Sequence, residues 1–135
     1  MKTKLLIIRI TIIWGILADT IETVRMSFPD IFITSGQFNI KPDAAFSFGL
    51  INAAPLMLGW TLVLVWTLLK PVERIGVVLC LIPVVMYSIV VNVIGLNTGV
   101  AQLKSIIPVL ILQSILLVLC ILSYIFGIQL IKEKK

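Results

Sequence analysis

The chain has 135 residues, 60% of them hydrophobic and 13% charged, with a mean hydropathy of +1.18. Soluble domains carry about 25% charged residues, so this balance leaves too little polar surface to coat a globule in water and points to one small integral membrane domain. The net charge of +5 gathers at the termini and in one short connection without interleaved aromatics, a pattern that orients a protein in a bilayer and excludes a nucleic-acid surface.

Other function classes fall away on residue type. His is absent, which removes the commonest general base and metal ligand. Cys80 and Cys120 stand in separate apolar runs, so there is no zinc, iron–sulfur or dithiol motif, and free thiols on a reducing side act as small packing groups. Carboxylates without His, a metal cluster or a nucleophile–base pair define no reaction class. Neither an enzyme nor a cofactor is expected.

Taken in order, Met1-Lys2-Thr3-Lys4 is a basic start to an apolar run, as in a signal peptide. Cleavage after Ala18 would put the bulky Ile16 at the −3 place, which argues against removal. Residues 5–24 are expected to form the first span, about 30 Å long. Helical spacing puts Thr11, Gly15, Ala18, Asp19 and Glu22 on one small, polar stripe suited to face other helices. Arg9 lies off it, with a stem that can snorkel.

Residues 26–45 read as a long outer loop. Phe28-Pro29 breaks the helix, Ser35-Gly36 and Lys41-Pro42-Asp43 are turn signals, and residues 31–40, with β-branched and aromatic residues flanking Ser-Gly, suit a small hairpin or an interfacial segment. The second span is expected over 46–69, with Pro55 inside it, Gly49, Asn52, Ala53, Leu56 and Gly59 as its stripe, and Trp66 in an aromatic belt. Lys70-Pro71-Val72-Glu73-Arg74 is a short turn that should fold the second and third helices into an antiparallel hairpin. Residues 75–95 form the third span, with Pro83 inside and Tyr87, Ser88, Asn92 and Gly95 on one side. Residues 106–131 form the fourth, with Pro108 near its start and Gln113, Cys120, Tyr124 and Gly127 down one face.

The expected fold is thus all-α: an integral membrane four-helix transmembrane bundle in a single domain over 1–135. Lys2, Lys4, Lys70, Arg74, Lys132, Lys134 and Lys135 share one side, leaving Arg25, Lys41 and Lys104 on the other. The positive-inside rule then makes the protein N-in and C-in, in the cell membrane.

Depth and face together place Asp19, Glu22, Asn52, Asn92 and Gln113 in the outer half of the four helices, with Tyr87 deeper. This is the expected ligand-binding set: an outward-facing polar cavity in which two neighbouring acids would hold a polar or cationic ligand and could move it. Transport by so short a chain would call for a homo-oligomer. The competing expectation is an accessory or assembly protein that binds partner membrane proteins, in which Arg25 neutralises Glu22 at i+3 and the amides clasp helix to helix.

Gly15-Ile16-Leu17-Ala18-Asp19, followed by Glu22-Thr23, resembles the first helix of the small multidrug resistance transporters, four-span proteins whose essential acid follows an Ile-Leu-Ala triplet. That resemblance implies that Asp19 would be a proton- and cation-exchanging carboxylate. It covers about ten residues, has Asp where the family has Glu, and extends neither to the family's short first loop nor to its glycine-rich third helix.

Overall fold

The computed structural model describes residues 2–34 and 43–133. They form five helices: α1 (Lys2–Ser27), α2 (Pro29–Thr34), α3 (Ala44–Leu69), α4 (Ile75–Asn97) and α5 (Leu103–Lys132). Three of them, α3, α4 and α5, are long and apolar enough to cross a membrane. The 26 residues of α1 match α3 in length, but Arg9, Asp19 and Glu22 fall inside its apolar run, so length and composition alone do not single it out as a span.

The breaks follow local chemistry. α1 ends at Ser27, and Pro29 opens α2 at a first-turn position where its missing N–H costs nothing. A small hairpin or an interfacial segment is expected over 31–40; the hairpin is corrected in its first half, because residues 31–34 belong to the helix α2, while 35–42 lie outside the described residues. α3 starts two residues earlier than hydropathy suggests, because Asp43 caps it, its Oδ1 accepting from the Phe46 N–H at 2.7 Å. Pro55, Pro83 and Pro108 all lie inside unbroken helices. α4 ends at Asn97, and Gly99 follows it at φ +72, the left-handed geometry that glycine adopts without a Cβ penalty.

Side by side, the long helices run α3–α1–α5–α4. α1 is central: it packs along α3 on one flank and α5 on the other, and α5 packs along α4. α3 and α4 meet at few points beyond their connection. The short turn therefore joins these two helices without packing them together, contrary to the hairpin expected from its length. What closes it is local: the Arg74 guanidinium stacks 3.7 Å from the Trp66 ring centroid and donates to the Trp66 carbonyl.

The buried core holds Ile8 and Ile12 of α1, Leu64 of α3, Val78, Leu81 and Val85 of α4, and Leu116 and Cys120 of α5. Small residues set two of the contacts. A Cβ built at Gly15 would stand 3.1 Å from Leu64 Cδ1, and one at Gly127 would overlap the side chain of Ile75. Many large apolar side chains point outward on every long helix, the arrangement that suits hydrocarbon surroundings and is rare in water.

Candidate functional site

The small, polar stripe read on α1 faces its neighbours. Thr11 and Gly15 are buried. The Thr11 hydroxyl lies 2.7 Å from the Ser123 hydroxyl of α5 and donates back to the Ile7 carbonyl at 2.9 Å. Both hydroxyls are fully enclosed, so this pair ties α1 to α5 where no water can compete. Ser123 escaped the sequence reading because the stripe on α5 was followed through Cys120 and Tyr124, and Ser123 lies beside it.

One turn beyond Gly15, Asp19 has its Oδ2 buried without a hydrogen-bond partner. Glu22 is half-buried and forms an ion pair with Arg25. The Arg25 guanidinium also stands 5.0 Å from the Phe32 ring centroid, and Phe32 meets Phe46 edge-on at 6.0 Å. The same end of α1 is thereby linked to α2 and to the start of α3. The i,i+3 pairing expected for Glu22 is present.

Between α4 and α5 the amides form a short network. Asn92 Nδ2 donates to Gln113 Oε1 at 3.0 Å, and Gln113 Nε2 donates to the Ser88 hydroxyl at 2.7 Å. Asn92 and Gln113 were expected near one another; Ser88 is the third member.

Two expected residues lie elsewhere. Asn52 is exposed and donates to its own helix at the Phe48 carbonyl, 2.8 Å away. Tyr87 is 72% exposed. It sits about 100° around the helix from Ser88, so when Ser88 turns toward α5 its neighbour turns away. The stripe on α3 behaves likewise: Gly49, Asn52, Leu56 and Gly59 are exposed, and Ala54, Thr61 and Leu64 are buried instead. With small residues on several faces of α3, spacing alone could not select the buried one. No single polar cavity gathers all six residues.

What forms instead is a groove of about 560 Å³ between α1 and α5. Ile10, Ile13, Trp14, Leu17 and Ile21 wall one side, and Val109, Leu112 and Leu116 the other; Glu22 and Gln113 supply its polar groups. The helices run antiparallel, so Glu22 and Gln113 come together at the end toward Arg25 and away from Lys4. Such a surface can take an elongated apolar body with one polar or cationic end. Among the described residues, no cluster of His, Cys, Asp or Glu could hold a metal ion. In comparisons with known proteins, no family model, curated protein or solved structure matches the chain.

Proposed function

We propose that the chain is a four-span cell-membrane protein with both ends in the cytoplasm that binds an amphipathic cation in the α1–α5 groove. Its apolar body lies against Trp14, Leu17 and Leu112, and its charged head meets Glu22 and the Gln113 amide. The observation that carries the reading is the placement of a half-buried carboxylate and an amide at one end of an otherwise apolar groove. Glu22 is already paired with Arg25, and a bound cation would share that carboxylate from the groove side, where charge at membrane depth needs partners. Movement of the cation across the bilayer would call for a homo-oligomer, since so short a chain makes a permeation path alone only with difficulty.

The orientation is supported by charge. Lys4 of α1 pairs with Glu133 after α5 at 2.7 Å, which puts both helix ends at one end of the bundle. The antiparallel packing of α1 on α3 brings Lys70 and Arg74 to that same end, as the positive-inside rule asks.

A second reading is favoured by a different observation. The Asn92–Gln113–Ser88 network and the Glu22–Arg25 pair satisfy polar groups within the chain, as in an accessory protein whose groove receives the helix of a partner membrane protein. Binding of tetraphenylphosphonium to the full chain in nanodiscs separates the two. Under the first reading E22Q weakens binding by about tenfold or more, the scale of one lost charge-assisted contact, and L17W blocks the groove. Binding that neither variant changes would favour the second.

A further inference from the structure

Among the described residues, two side-chain atoms are buried without a hydrogen-bond partner: Oδ2 of Asp19 on α1 and Nε1 of Trp60 on α3. They are chemical complements. A carboxylate oxygen accepts, and an indole N–H only donates. Buried polar groups are nearly always satisfied, so two orphans of opposite kind call for a common explanation.

Helix register supplies it. Gly15 lies against Leu64, and α1 and α3 run in opposite directions. Four residues on from Gly15 is Asp19; four residues back from Leu64 is Trp60. Residues four apart share a helix face, one turn along, so the two side chains lie at the same level of the same seam.

Among the described residues, the charges on the elements around Asp19 leave it no competing cation nearby; α2, which packs on α1 and α3, carries only the acid Asp30. α3 carries no ionisable side chain between Ala44 and Leu69. α5 has Lys104 and Lys132 only at its ends, with Cys120 and Tyr124 deeper. α4 offers Cys80 and Tyr87, both exposed. On α1 itself Glu22 is one turn away and pairs with Arg25.

We infer that Trp60 is the donor matched to Asp19: side-chain rotation closes an indole–carboxylate hydrogen bond across the α1–α3 seam, which holds ionised Asp19 inside the bundle and weakens when the carboxyl takes up a proton. Trp60 is then a positioning residue for Asp19. The inference stands apart from the α1–α5 groove, so loss of tetraphenylphosphonium binding in E22Q, or its absence altogether, leaves it untouched.

The test follows the indole N–H resonances of the three tryptophans of the full, nitrogen-labelled chain in nanodiscs from alkaline to acid pH. The Trp60 resonance moves upfield with one midpoint as its hydrogen bond weakens, while those of Trp14 and Trp66 hold still. D19N abolishes the movement, and E22Q keeps it. Should D19N fail to fold, D19E retains the carboxylate and must retain the response. A Trp60 resonance that ignores pH in the native chain overturns the inference. So does one that still titrates in D19N, or one whose response vanishes in E22Q and so reports Glu22.

Discussion

Among the described glycines, the closest fit depends on a missing side chain. A Cβ at Gly127 would overlap Ile75, the first residue of α4, so the α4–α5 seam closes around that glycine. Gly127→Ala should cost about 1–3 kcal/mol, the usual range for overpacking a fitted core, read as earlier unfolding in a detergent titration. Gly15→Ala has only the flexible end of Leu64 to displace and should cost much less. The buried Thr11–Ser123 pair predicts that Thr11→Val leaves the Ser123 hydroxyl short of a partner and costs about 1–3 kcal/mol. At this scale the sequence was partly legible. Gln113, Cys120 and Gly127 share a face of α5 that does meet neighbours, because small and polar groups at helical spacing mark close approach. Tyr87 and Asn52 were misplaced because a hydropathy pattern gives the spacing of a face and not the side to which it turns.

Helix boundaries were the most legible level, since they rest on local chemistry. The Phe28-Pro29 break is steric and needs no distant partner. The Asp43 cap is also local: Asp43→Ala should cost about 1 kcal/mol and speed hydrogen exchange at the Phe46 amide, with the rest of α3 protected. The α3–α4 connection shows where locality ends. Its few residues dictate a reversal, yet α3 packs on α1 and α4 on α5, because contacts distant in sequence outweigh adjacency in the chain. Arg74→Ala removes the stack on Trp66 and should loosen the turn alone, seen as greater protease access between Lys70 and Arg74.

For the whole molecule, charge and register act together. The Lys4–Glu133 pair joins the first helix to the last. The hydrogen bond and charge of Lys4 hold the Glu133 carboxyl below its ordinary value of 4.5. A lowered folded-state pKa means that this link contributes fully above the ordinary value and is lost as pH falls through the lower folded one. Glu133→Gln should therefore remove a small acid-sensitive component of stability, small because the pair lies at the surface with both side chains partly solvated. Orientation is tested by thiol labelling in a chain whose native cysteines are replaced by alanine. A cysteine at Thr3 should react only from the cytoplasmic side and one at Asn97 only from outside; reaction of both from one side would end the four-span reading.

The amino-acid sequence by itself determined the membrane character, the breaks at Phe28 and Lys70, and, to within three residues at each end, the extent of the three most apolar helices. Each is decided by residues close together in the chain: run length, proline sterics and the absence of charge. Only the tertiary structure decided which face of each helix meets which neighbour. Hydrocarbon solvates Leu, Ile and Val as well as a protein interior does, so hydrophobicity ranks no face above another. The choice falls to fits such as Gly127 on Ile75 and Thr11 on Ser123, whose two halves lie far apart in the chain.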